Sequence, residues 1–320
     1  MTFRNYKRIG GFIIVKQEFY YMSSDGRSKI HAIEWIPQTE IKAVLQITHG
    51  MKEYIDRYDD FARYLNQFGF YVVGQDHLGH GGSANENSFG FFHESQGNEC
   101  LINDMRALYL KTEAKYPELP YFMLGHSMGS FLTRQYIGHY GRNLDGVIIM
   151  GTGQQPLNMI KTAKRFLSGW IRLKGPYYAN HHVDSLLSKA FNHRFEPVKT
   201  AADWISKDEN EVKKYIEHPW CTFDFTLSSY YELCKSLERM NDPKILNAIP
   251  KNLPVLLVSG EDDPVGDYGK GVKKVYEQYQ KLGIRDVSMH LYPTDRHEIL
   301  NETDRLAVYQ DIWQWLDKHI

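Results

Sequence analysis

Six short, almost uninterrupted apolar runs limit what this chain can fold into. They lie at Ala43–Thr48, Phe70–Gln75, 121–124, Gly146–Met150, 255–259 and 287–291. Runs of this length without polar alternation suit strands covered on both faces. Helical spacing of apolar residues appears at 56–68, 98–116, Met128–Tyr140, 268–282 and 303–319. Alternation of the two patterns predicts βα units around a mainly parallel sheet. Two earlier runs, Phe12–Met22 and Lys29–Ile36, alternate polar with apolar residues and predict an antiparallel edge, giving eight strands.

Between the sixth and seventh of these strands lie about a hundred residues, 154–250, far beyond ordinary loop length. The segment has helical patterns and many aromatics, among them Phe166, Trp170, Trp204, Trp220, Phe223 and Tyr230. It reads as a helical cap inserted into a core made of 1–153 and 251–320. With 320 residues, one large domain plus an insertion fits better than two domains. A net charge of −1 gives no reason to expect nucleic acid as a partner. Cys100, Cys221 and Cys234 are odd in number and scattered, which predicts free thiols rather than a disulfide framework or a zinc site. The apolar stretch after Arg4, Lys7 and Arg8 is too short for a signal core and is broken by Lys16, so the expected location is cytoplasmic.

The strongest chemical signal is Gly125-His126-Ser127-Met128-Gly129, set between an apolar strand and a helical run. This strand–turn–helix setting is what a nucleophile elbow needs, and it makes Ser127 the candidate nucleophile. Serine needs a base, and the base needs an orienting acid. His297 stands in the loop after the last strand, where a side chain can reach Ser127; His290 lies inside a strand and His319 at the chain end. Glu261, Asp262 and Asp263 follow the preceding strand, and only one of them can face His297. Asp263 precedes Pro264, which biases it to an extended conformation. Gly50 permits a tight turn after the 43–48 strand, so the Met51 N–H can join the Met128 N–H as an oxyanion hole.

Taken together, these motifs resemble the monoacylglycerol lipase and lysophospholipase branch of the α/β-hydrolases, grouped with serine aminopeptidase-like hydrolases. The matching stretches are His49-Gly50-Met51-Lys52-Glu53-Tyr54-Ile55-Asp56-Arg57-Tyr58, Asp76-His77-Leu78-Gly79-His80-Gly81, the Ser127 pentapeptide and Arg296-His297-Glu298. Thr200-Ala201-Ala202-Asp203-Trp204 and His218-Pro219-Trp220 match within the cap. The resemblance implies an α/β-hydrolase fold with a Ser127–Asp263–His297 triad, the acid being third after Gly260. It also implies a Met51/Met128 oxyanion hole and ester hydrolysis without cofactor or metal. Tyr54 stands where many members carry His, and Asp295 where a glycine commonly precedes the Arg-His pair. Alternatives are an aminopeptidase or amidase, whose substrate amine Asp184, Glu196, Asp203, Asp208 or Glu209 could receive, and a ligand-binding protein without turnover.

Two other signals compete with this reading. Gly79-x-Gly81-x-x-Ala84 imitates a dinucleotide fingerprint, but turn residues follow it instead of a helix, so no phosphate site is expected. Asp76, His77 and His80 lack further ligands at metal-binding spacing and read as a hydrogen-bonded turn. Residues 159–175 carry Met159, Ile160, Ala163, Phe166, Leu167, Trp170 and Ile171 at helical spacing, with Lys161, Lys164, Arg165, Arg172 and Lys174 and no acid. That pattern fits a cap helix packed on the pocket, and also a lid making peripheral contact with a membrane surface.

Overall fold

The computed structural model describes residues 3–9, 12–179 and 181–320, with side chains from Val15 onward. β1 (Phe3–Ile9), β2 (Phe12–Met22) and β3 (Lys29–Ile36) form an antiparallel meander. After β4 (Ala43–Thr48), α1 (Asp59–Asn66) leads to β5 (Phe70–Gln75), and α2 (Gly97–Glu113) leads to β6 (Tyr121–His126). α3 (Met128–Tyr140) precedes β7 (Gly146–Met150). Five helices follow before the next strand: α4 (Leu157–Lys174), α5 (His181–Asn192), α6 (Glu209–Glu217), α7 (Leu227–Arg239) and α8 (Pro243–Ala248). β8 (Val255–Gly260), α9 (Lys270–Lys281), β9 (Val287–Tyr292) and α10 (Arg305–Lys318) complete the order.

All strands join one sheet in the order β1-β2-β3-β5-β4-β6-β7-β8-β9. β3 pairs antiparallel with β5, and every pairing beyond it is parallel. The eight expected strands are present, and β1 adds a ninth. β4 to β8 are buried along their whole length, because alternate residues feed two separate cores. Val147 and Ile149 pack toward Met105, Leu132 and Val275, while Ile148 and Met150 pack toward Phe61, Ile312 and Leu316. The 287–291 run departs from the expectation of cover on both faces. β9 is the sheet edge and only Tyr292 in it is buried, which suits the polar Ser288 and His290.

The helical expectation at 56–68 splits into a 3₁₀ turn at Ile55–Tyr58 followed by α1. β6 runs two residues past the apolar stretch, because Gly125 and His126 still pair with Ile149 and Met150. The three cysteines are free. Among the described residues, no helix is long and apolar enough to cross a membrane.

Candidate active site

Ser127 sits between β6 and α3 with φ 52° and ψ −120°, a conformation disfavoured for any residue with a Cβ. Its neighbours make that turn possible. A Cβ on Gly129 would overlap the carbonyl oxygens of Thr48 and His49, and one on Gly125 would overlap the Thr133 hydroxyl and the Gly129 backbone. The Ser127 N–H donates to the Met150 carbonyl at 3.0 Å, and its own carbonyl accepts the Ser130 hydroxyl at 2.6 Å. Met128 opens α3, so its N–H has no intrahelical acceptor.

His297 and Asp263 arrive from the carboxyl ends of β9 and β8. His297 Nδ1 lies 2.9 Å from Asp263 Oδ1. That carboxylate also accepts the Val265 N–H at 2.8 Å and the Ser259 hydroxyl at 3.1 Å, and it is fully buried. With Nδ1 donating to the acid, Nε2 is left as the lone-pair atom of the ring. Ser127 and His297 line one cavity. Glu261 and Asp262 are exposed, so of the three adjacent acids only Asp263 reaches His297. His290 is exposed on β9, and His319 bonds to the Trp315 carbonyl and Asp286.

The turn after β4 packs on the serine. A Cβ on Gly50 would stand 2.9 Å from Ser127 Cβ and 2.6 Å from Glu53 Oε1. Buried histidines brace it. His49 Nδ1 donates to the Gly50 carbonyl at 2.7 Å, and its Nε2 accepts the His77 N–H at 3.0 Å. His80 Nδ1 donates to the Leu78 carbonyl at 3.0 Å, and its Nε2 accepts the Lys52 N–H at 3.2 Å. Asp76 is filled by the Ile55 and Gly82 N–H groups and by His31, which is the hydrogen-bonded turn expected of this stretch.

Burial, reinforced by neighbouring His49, pulls the His80 imidazole down to about 3. In the unfolded chain an imidazole titrates near 6.5. Below that pH the unfolded state binds a proton that the folded state refuses. The stabilisation from neutral His80 is therefore full above about pH 6.5 and declines as pH falls toward 3. His80→Gln is expected to flatten the fall in melting temperature between pH 6.5 and 4. An unchanged slope would show that the ring titrates normally.

A second buried network lies behind the serine, and the sequence reading assigned it no role. Glu53 Oε1 accepts the Gly50 N–H, the Tyr58 hydroxyl at 3.0 Å and His126 Nδ1 at 2.8 Å. Arg57 bridges Glu53, at 3.4 Å, to Glu298, which it grips with two bonds of 2.6 Å. His126 Nε2 faces the His297 carbonyl at 3.3 Å. Both ring nitrogens of His126 thus meet acceptors, which favours the imidazolium. Burial pulls the His126 pKa down, but the Glu53 carboxylate outweighs it and the net shift is upward. Burial likewise pushes Glu53 up, while His126 and Arg57 pull it well below the usual carboxylate range. One carboxylate therefore links the Gly50 turn, the residue before Ser127 and, through His126, the backbone of the His297 loop.

Above the site is a cavity of about 1630 Å³ whose lining joins Met51, Ser127, Met128 and His297 to residues from α4, α5 and α7. Most of its wall is apolar, including Met159, Phe166, Trp170, Leu187, Trp204 and Leu233. Part of this covering segment is stitched to the loop that carries His297. Trp204 and Ile205 carbonyls accept the His297 and Glu298 N–H groups at 3.3 and 2.7 Å, and Lys207 Nζ reaches Asp295 at 2.6 Å. Asp295 is therefore an anchor for the segment above it. Tyr54 stacks on His218 with 4.5 Å between centroids. The five acids that could receive a substrate amine have protein partners. Asp184 pairs with Lys52, and Glu209 with Lys199. Glu196 accepts the Val198 N–H, Asp203 caps Lys199 and Thr200, and Asp208 caps α6.

Comparison with known proteins identifies the family and the fold. Residues 39–304 match the family described as serine aminopeptidase, S33. A monoglyceride lipase homolog of Monkeypox virus is 26% identical over 294 residues, spanning 90% of this chain and 94% of its own. The monoacylglycerol lipase of Mycolicibacterium smegmatis is 24% identical over 289 residues, spanning 89% of this chain and 92% of its own. A highly thermostable carboxyl esterase from Bacillus coagulans, solved in complex with glycerol, aligns with a TM-score of 0.87 at 29% identity, over 95% of this chain and 98% of that one. The family match runs from ahead of β4 to the residue before α10, and it takes in every residue of the site: this chain has the α/β-hydrolase fold and belongs to the serine aminopeptidase S33 family.

Proposed function

We propose that this chain is a serine carboxylic-ester hydrolase acting on esters with an apolar acyl chain, monoacylglycerols first and lysophospholipids second. The observation that carries this reading is that His297, paired with the buried Asp263, lines one large apolar cavity together with Ser127. His297, oriented by Asp263, takes the Ser127 proton as Ser127 Oγ attacks the ester carbonyl. The Met51 and Met128 N–H groups receive the developing oxyanion. His297 then protonates the leaving alcohol. Water repeats the sequence and releases the acid, so no cofactor or metal is required.

Residues 154–250 act as the cap in this account, with α4 and α5 over the acyl site. An apolar wall of this size discriminates by chain length, since each buried methylene contributes about 0.8 kcal/mol. A panel of monoacylglycerols, lysophosphatidylcholines and aminoacyl amides tests the reading. Turnover is expected to be fastest on monoacylglycerols and to rise with acyl length. Preference for the amides would overturn it in favour of the aminopeptidase alternative, and tight binding without turnover would favour a ligand-binding role.

The part of α4 at the rim of the cavity supports a peripheral role at lipid surfaces. Phe166 is 72% exposed and Leu173 80%, in a helix that also carries Lys161, Arg165 and Arg172. Phe166→Glu with Leu173→Glu is expected to reduce co-sedimentation with anionic vesicles at low salt; equal sedimentation would remove membrane contact through α4.

A further inference from the structure

The turn that carries Met51 is held from two sides, and only one of them belongs to the core. Lys52 has φ 58°, a left-handed conformation disfavoured for a residue with a Cβ, so it needs anchors on both flanks. Its N–H donates to His80, inside the core. Its side chain runs the other way. Lys52 Nζ donates to Asp184 Oδ1 at 3.1 Å, and Asp184 Oδ2 accepts the Phe225 N–H at 3.3 Å. Asp184 stands in the first turn of α5, over the cavity. The two side chains are 16% and 10% exposed, so solvent and salt screen this pair less than a surface ion pair.

We propose that the Lys52–Asp184 ion pair is a positioning contact that ties the seat of α5 to the alignment of the Met51 N–H. Placement of the cap is then expressed in the rate of the chemical step, and not in access alone. This rests on the reading of Met51 as an oxyanion donor. If α5 only admitted substrate, losing the pair would alter KM, and chiefly for long esters that fill the cavity. If the pair aligns Met51, losing it lowers kcat even for an ester too small to need the cap. Asp184 has no further role as an amine receptor in this account, because both its oxygens are engaged.

The test measures kcat and KM on p-nitrophenyl acetate, together with the rate of fluorophosphonate labelling at Ser127. The variants are Lys52→Met, Asp184→Asn, their combination and the reversed pair Lys52→Glu/Asp184→Lys. Each single change is expected to lower kcat about tenfold, a fraction of the 10²–10³ lost with a whole oxyanion donor, while KM stays within about twofold. The combination should be no slower than either single variant, and the reversed pair should recover most of the loss. Multiplicative losses, a change confined to KM, or a reversed pair as slow as the combination would each overturn the coupling. Should a variant fail to fold, Lys52→Arg and Asp184→Glu replace it; they keep the charges and must keep most of kcat for the proposal to stand. Wild-type protein that does not label at Ser127 would sink the hydrolase reading itself, whereas normal labelling with uncoupled variants sinks this pair alone.

Discussion

Asp263→Asn is expected to lower kcat about 10⁴-fold while leaving the fold intact. One carboxylate oxygen takes the His297 Nδ1–H and the Val265 N–H, and the other takes the Ser259 hydroxyl. Asparagine fills the same volume but presents an amide N–H₂ on one side. If that side faces His297, Nδ1 must become the acceptor and Nε2 carries the proton. The ring then has no lone pair for the Ser127 hydroxyl, and no carboxylate stabilises the imidazolium that proton transfer would create. Steady-state kinetics with a melting curve on the same sample checks this. A loss smaller than about tenfold would show that Asp263 does not orient the base.

Glu53→Gln is the second large effect, and it falls first on stability. The substitution removes the carboxylate that His126 meets at 2.8 Å and leaves Arg57 paired with Glu298. It also weakens the acceptor that holds the Gly50 N–H. Breaking a buried ion pair on one side costs about 3–5 kcal/mol, because the remaining charge stays desolvated. Glu53→Gln should therefore lower the midpoint of urea unfolding by a large margin and slow turnover as well. Adding His126→Gln removes the orphaned cation and should restore part of the stability, since the two sites share one network. Strictly additive losses would show that Glu53 and His126 act independently.

Much of this fold was legible in the sequence, for a physical reason. A strand covered on both faces has nowhere to put a polar side chain, so β4 to β8 stand out as apolar runs, and the loops at their carboxyl ends mark the site. The placement of Ser127 after β6 was legible for the same reason, whereas His297 follows β9, an edge strand only partly covered, and stood out by its position in the loop after the last strand. Asp263 was harder, because Glu261, Asp262 and Asp263 differ in exposure and not in chemistry. Only the fold buries the third and leaves the others in solvent. β1 was not among the expected strands, because Arg4, Lys7 and Arg8 leave no apolar run there. Charges of that kind are common on edge strands, and β1 pairs with β2 from Phe3↔Glu18 to Ile9↔Phe12.

The Glu53 network was not legible, although its parts were in view. Glu53 and Arg57 are four residues apart and stand in the stretch that carries the family resemblance. Their partners His126 and Glu298 are 73 and 241 residues away along the chain, so no local period joins them. A signal did exist. A glutamate three residues after the glycine of a tight turn is placed to cap that turn's N–H, which is what Glu53 does for Gly50. Lys52–Asp184, spanning 132 residues between the turn after β4 and α5, had no signal of its own.

In the proposed mechanism Ser127 Oγ is the nucleophile that takes up the acyl group, activated by His297. Mass spectrometry after brief exposure to a fluorophosphonate tests it most directly, using wild type, Ser127→Ala and His297→Ala. Wild type should gain one adduct, localised to the peptide containing Ser127. Ser127→Ala should gain none, and His297→Ala should react slower by orders of magnitude. An adduct that persists in Ser127→Ala, or a His297→Ala rate equal to wild type, would contradict the account.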